Sequence, residues 1–372
     1  MKIQLDKSGT AEALQDLLIS SEADSQIQAH LIMSCDANNF SKNTIDPILK
    51  KIKKPVFGGI FPEIMHQTEK LEKGTLVVGL TKPTKVHLIE NLSDMDVDYE
   101  DVLDEKIPET PHAKTMFVFV DGFAQRISAL IDGLFNVFGL EMNYIGGGAG
   151  SLSFVQKPVL FTNEGLVQDA AILALTDMES GVGVNHGWED VEGPFKVTES
   201  DRNIVKSLDW KPAFQVYKEV VEKHSAKTFT ADNFFDIAKG YPFGLSKLGT
   251  EKIVRDPIAL GENDSLVCVG EVPQDVFVHI LNGNTGTLVN AAQKALSLGI
   301  ESFSAKSQYK TIFFIDCISR VLFLDKEFSK ELNAVSGKEI PLIGALTLGE
   351  IANNGKDYLE FYNKTSVVGV LE

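Results

Sequence analysis

Two arginines stand at the edges of apolar runs, not among the charges of a solvated helix face: Arg255 after Lys252-Ile-Val, and Arg320 three residues beyond Cys317. A guanidinium so placed can grip a carboxylate through two parallel hydrogen bonds, or it can form a structural ion pair, with Glu350, Glu63 or Asp316 as candidate partners. Cys317 raises a related choice. A cation close to it would lower its pKa toward a reactive thiolate, whereas burial would leave it inert. Glu63 and Glu350 follow similar glycine-broken runs and invite an acid/base reading. Copying of one structural unit explains such a pair equally well. Gly146-Gly147-Gly148-Ala-Gly150 frees backbone amides that could cradle an anion. The run lacks the Lys-Ser/Thr of a phosphate loop and the spacing of a dinucleotide fingerprint, and it also suits a close approach of two backbones. His186, between Asn185 and Gly187, is a lone imidazole that could ligate a non-covalent haem iron; there is no CxxCH for covalent attachment.

The elements that must position these residues repeat. Ile27–Ser34, Lys114–Val120 and Lys310–Ile315 each read as a buried strand, followed by amphipathic segments at 43–53, 126–138 and 326–335. Next come glycine-broken runs at 55–63, 144–150 and 341–350, a polar loop, and closing apolar runs at 75–80, 169–175 and 365–370. A β-α-β-loop-β unit therefore occurs three times, a duplication inside a compact protein and not a solenoid. A strand and a helix precede the first unit, at Lys2-Ile-Gln-Leu and 11–19 with Thr10 as N-cap, and the same order at 276–281 and 285–298 assigns a leading strand and helix to the third.

Between 181 and 275 the texture changes. Lys211-Pro212 can open a helix running to about His224, and the remainder alternates strand and turn as an antiparallel meander. The expectation is an α/β (mixed α+β) protein of two domains, 1–208 and 209–372, whose mixed sheets are flanked by helices.

Thirty-five basic against 52 acidic residues give a net charge of −17, and the longest basic cluster is Lys50–Lys54. That excludes a phosphate-backbone binder and points to no nucleic-acid partner. The start of the chain has no apolar core after its basic residue, and no run of about 18 apolar residues occurs, so the expectation is a cytoplasmic protein without membrane attachment. Cys35, Cys268 and Cys317 are odd in number and far apart, which suits reduced thiols, and the lack of CxxC or HxxxH spacing argues against a structural metal. No GxSxG, HExxH or Walker pattern marks an enzyme.

Asn185-His186-Gly187, Gly193–Thr198, Leu208–Tyr217, Tyr241-Pro-Phe-Gly, Val254-Arg255, Ser265–Pro273, Cys317-Ile-Ser-Arg320, Gly349-Glu350-Ile and Asn363-Lys-Thr365 occur in an order that resembles the FIST family, an N-terminal FIST domain followed by a C-terminal one. The resemblance implies an intracellular sensory module that binds small ligands such as amino acids and signals through a separate protein such as a kinase or receptor. One branch of the family binds haem and responds to nitric oxide. The reading that results is a non-catalytic small-molecule sensor, in which Arg320 and Arg255 hold an anionic group. Cys317, Glu350 and Glu63 line the pocket, and the amides of Gly146, Gly147 and Gly148 close it. No cofactor is required. The alternatives are a haem-binding nitric-oxide sensor using His186 and an enzyme of unknown class.

Overall fold

The computed structural model describes all residues except 111, 231, 247–251, 305–307, 338 and 354–357. The first unit runs β1 (Lys2–Asp6), α1 (Ala11–Glu22), β2 (Ala29–Cys35), α2 (Lys42–Leu49), β3 (Val56–Phe61), a hairpin of β4 (Glu63–His66) and β5 (Glu69–Leu71), and β6 (Thr75–Leu80). The second repeats this order as β7 (Thr84–Glu90), α3 (Tyr99–Lys106), β8 (Thr115–Asp121), α4 (Ile127–Phe138), β9 (Asn143–Ala149), a hairpin of β10 (Leu160–Thr162) and β11 (Gly165–Val167), and β12 (Ala170–Thr176). Thr10 caps α1 as expected, its hydroxyl accepting from Ala13 N at 3.2 Å.

The third unit begins with β13 (Ser180–Asn185) and is then interrupted. The interruption is a barrel of β14 (Glu189–Asp201), β15 (Ile204–Leu208), β16 (Lys211–Pro212), α5 (Ala213–Ser225), α6 (Phe234–Ala238), β17 (Phe243–Leu245), β18 (Ile253–Leu260), β19 (Leu266–Val269) and β20 (Phe277–Asn282). Its strands lie in the order β14-β20-β17-β18-β19-β15-β16, and a β14–β15 pairing closes the sheet on itself. Tyr217 of α5 and Phe234 of α6 pack against Phe243 and Val278 in its core. The unit then resumes with α7 (Thr285–Ser302), β21 (Thr311–Cys317), α8 (Ile318–Leu324), α9 (Phe328–Val335), β22 (Leu342–Thr347), a hairpin of β23 (Glu350–Asn353) and β24 (Leu359–Tyr362), and β25 (Ser366–Leu371).

This corrects one expectation. The strand before α7, at 276–281, belongs to the barrel, where β20 pairs with β14 and β17. The leader of the third unit is β13, which pairs antiparallel with β25 as β1 does with β6 and β7 with β12. An insertion that ends in a strand reproduces the strand-then-helix order, so the sequence could not reveal the substitution.

In each unit the two central strands run parallel and are joined by a helical crossover, the connection that parallel strands require. The hairpins are exchanged in a cycle. The sheets read β1-β6-β2-β3-β10-β11, β7-β12-β8-β9-β23-β24 and β13-β25-β21-β22-β4-β5, so each unit ends its sheet with the hairpin of another. The inner faces share one core in which Phe57, Phe117 and Phe313 touch in sequence, with ring centroids 5.7 and 5.6 Å apart.

Candidate ligand site at the seam between barrel and third unit

Where β24 turns into β25, Asn363, Lys364 and Thr365 are at most 1% exposed and join the barrel to the third unit. The Lys364 ammonium lies 3.1 Å from Asp256 Oδ2 on β18 and donates to the Lys239 carbonyl, while the Lys364 carbonyl accepts from Trp188 Nε1.

Arg320, in the first turn of α8, is completely buried. Its Nε faces Glu331 Oε1 at 3.0 Å and Asp316 Oδ1 at 3.1 Å. Nη1 donates to the carbonyls of His186 and Lys364, and Nη2 donates to the Leu288 carbonyl and the Glu331 carboxylate. Every N–H of the guanidinium is therefore committed inside the protein, and the expectation that Arg320 holds a ligand gives way to a tie among α7, α8, α9 and the turn at Lys364.

Arg255 on β18 is placed differently. It is 5% exposed, and no aspartate or glutamate among the described residues lies within ion-pair distance. Its Nε donates to the Glu271 carbonyl at 2.9 Å, and its Nη1 to the carbonyls of Val254 and Phe361 at 3.0 and 3.1 Å. Burial lowers its pKa to about 10, which leaves it a charged group without a neutralising carboxylate.

Glu350 opens β23 and is buried, paired across from Tyr362 on one side and Gly147 on the other. Thr347 Oγ1 and Thr365 N donate to its carboxyl at 3.1 and 3.2 Å, but burial prevails and pushes its pKa up to about 8. Neighbouring Asp316 is raised by burial and by Glu331 in the same direction. A carboxyl whose folded pKa exceeds its ordinary 4.5 contributes stability that is complete below that value and is lost as pH rises through about 8. Unfolding midpoints are thus expected to fall between pH 5 and about 8.5, and to fall less steeply in Glu350→Gln, where the amide imitates the protonated acid; identical slopes would contradict the assignment.

Of the two readings of Cys317, burial and inertness hold. Burial raises Cys317, Cys268 and Cys35, the last to about 12, so the Arg320 charge close to Cys317 does not yield a thiolate. Glu63, the counterpart of Glu350 at the start of the first unit's hairpin, lies away from this seam on β4 and is bound by Lys70 Nζ at 2.6 Å. The two glutamates share a topological position and nothing else. Gly146, Gly147 and Gly148 are interior to β9, between β8 and β23, with Gly148 N donating to Gly349 O and Gly148 O accepting from Leu348 N. They serve close backbone approach instead of an anion cradle.

His186 does not suit a haem iron as it stands. Its Nδ1 accepts from Trp188 N at 2.9 Å, which places the ring proton on Nε2, the nitrogen that would have to offer a lone pair. Burial and the Arg320 charge lower its pKa to about 3 and keep the ring neutral. Among the described residues no group of three or more His, Cys, Asp or Glu side chains could hold a metal ion, and no helix is long and apolar enough to cross a membrane.

The FIST N domain model matches residues 30–211 and the FIST C domain model matches residues 213–353. The chain belongs to the FIST family. FIST domains are associated with signal transduction and small-ligand sensing. No curated protein matches this FIST chain. The passage from the N to the C domain model falls inside the barrel, between β16 and α5. Sequence reasoning overlooked Glu331 and the Lys364 carbonyl as partners of Arg320, and Asp256 as the partner of the Lys364 ammonium. Each sits in an ordinary context in the sequence, and only the barrel's insertion brings β18 against the β24–β25 turn.

Proposed function

We propose that this protein is a non-catalytic small-molecule sensor whose ligand carries a carboxylate, as an amino acid does, and docks on Arg255 at the seam between the barrel and the third unit. The observation that carries this reading is a buried guanidinium with no carboxylate partner among the described residues, against an otherwise similar Arg320 that has two. A charge held in a dry seam is costly unless something neutralises it, and a ligand anion would do so. The seam also suits a sensor, because occupancy would couple the barrel to β24 and so to the second sheet. The output then passes to a separate signalling protein.

A thermal-shift screen with amino acids and small carboxylates tests this, since a ligand that binds only the folded state raises stability by RT ln(1 + [L]/Kd). At a hundredfold excess over Kd that is about 2.7 kcal/mol. Carboxylates are expected to raise the midpoint of the parent, and Arg255→Lys, whose single ammonium cannot serve the Glu271, Val254 and Phe361 carbonyls and a ligand together, is expected to need at least about ten times more ligand. A parent that responds to no carboxylate, or an Arg255→Lys variant that responds equally, would overturn the proposal.

A further inference from the structure

Arg255 cannot hold a carboxylate by itself. Its Nε is bound to the Glu271 carbonyl and both Nη1 hydrogens are directed at the Val254 and Phe361 carbonyls, so neither two-nitrogen edge is free for a parallel pair of bonds. None of its hydrogen bonds among the described residues uses Nη2. The second oxygen of a carboxylate therefore needs another donor.

Asn363 supplies a candidate. Its Oδ1 lies 3.4 Å from Arg255 Nη1, which orients the amide with Nδ2 turned away from the guanidinium. The residue is 1% exposed and Nδ2 has no hydrogen-bond partner among the described residues. A buried amide donor left without an acceptor costs about 1–3 kcal/mol, and such orphans are rare enough to call for an explanation. The surrounding backbone keeps the two side chains together: a Cβ on Gly270, whose φ is +79°, would come 2.9 Å from Arg255 Nε and 3.0 Å from Asn363 Oδ1.

We infer that Asn363 is the second donor of the Arg255 site and restricts it to monovalent carboxylates. The inference rests on the Arg255 reading above. One oxygen of the ligand takes Arg255 Nη2 and the other takes Asn363 Nδ2, so that each unused donor gains an acceptor. An aspartate at 363 would instead neutralise the guanidinium from within, and the neutral amide leaves that charge for the ligand. Arg255 brings a single positive charge to the ligand, and Lys364, the next residue after Asn363, is already paired with Asp256 at 3.1 Å. A phosphate dianion would bring a second, uncompensated charge into the seam.

The test uses the full chain with sodium acetate, glycine and inorganic phosphate as probes in thermal-shift titrations at constant ionic strength. Acetate or glycine is expected to raise the midpoint of the parent and phosphate is not. Asn363→Asp is expected to abolish the response while melting at or above the parent, because the buried cation gains a counter-charge. Asn363→Leu, which removes the donor without adding charge, is expected to require at least tenfold more acetate, and it stands in should the aspartate variant fail to fold. If Arg255→Lys loses the response but both Asn363 variants keep it, this inference fails and the Arg255 reading survives. If phosphate shifts the midpoint as far as acetate, the restriction to carboxylates is wrong. If neither acetate nor glycine shifts the parent, the Arg255 reading itself falls, and this inference with it.

Discussion

Arg320→Ala is expected to lower the stability of the protein by about 3–5 kcal/mol, measured by denaturant unfolding, enough to remove much of what an ordinary domain possesses. The magnitude follows from what the substitution leaves behind more than from what it removes. Glu331 and Asp316 are both fully buried, each already has one carboxylate oxygen without a hydrogen-bond partner among the described residues, and Arg320 is the cation that faces both. Without it, two acids face each other in a dry interior, and the His186, Lys364 and Leu288 carbonyls lose their donor as well. Lysine is not a conservative replacement, since a single ammonium cannot reach acceptors on four sides. In an Arg320→Met background, neutralising the orphaned acid by Glu331→Gln should restore part of the loss, although the same change in the parent should destabilise it. Loss of less than about 1 kcal/mol in Arg320→Ala, or a Glu331→Gln effect of the same sign and size in both backgrounds, would show that the cluster does not hold the fold.

The contrast between the two arginines shows which parts of this protein can be read from its sequence. Both stand at the edge of an apolar run, a context that offered each the same choice between a ligand and a structural ion pair. It could not predict company, because the acids that occupy Arg320 come from β21 and α9, whereas the partners of Arg255 come from the segment after β19 and from β24, across a seam created by a 94-residue insertion between β13 and α7 (189–282). Local periodicity reports which face of an element is apolar, and it reports nothing about which distant element covers that face. The three units were legible for the same reason. Uninterrupted apolar strands such as Thr115–Asp121 and Thr311–Cys317, with amphipathic helices after them, recur with their order intact. The cyclic exchange of hairpins was not legible, since β4 reads the same whether it pairs with its own β3 or with β22 of the third unit. The choice at Cys317 is decided by energetics. Proximity to a cation was anticipated, but desolvation of the thiolate outweighs it when the site is dry.

The glycines that first suggested an anion cradle carry the other large expected effect. Gly58, Gly146 and Gly344 occupy one position in the three units, each opposite the fourth residue of the parallel central strand: Ile32, Val118 and Phe314. A Cβ at these glycines would stand 2.0, 1.8 and 1.9 Å from the carbonyl oxygen of that same partner. The obstacle is backbone in the middle of a sheet, hydrogen-bonded on both sides, so it cannot rotate away as a side chain would. Gly146→Ala is therefore expected to cost at or beyond the upper end of the 1–3 kcal/mol that overpacking typically costs, as the β8–β9 ladder parts to admit one methyl group. Gly337→Ala is the control, because its nearest neighbour would be Ile312 Cδ1 at 3.6 Å, an ordinary contact, and it should change stability by less than about 0.5 kcal/mol. Equivalence of position demands equivalence of effect, so Gly58→Ala and Gly344→Ala should fall in the same range as Gly146→Ala, with Gly58→Ala the most severe because its φ of +125° adds backbone strain. An alanine tolerated at Gly146 but not at the other two would mean that the second unit's glycine run answers to something other than the strand spacing it shares with its copies.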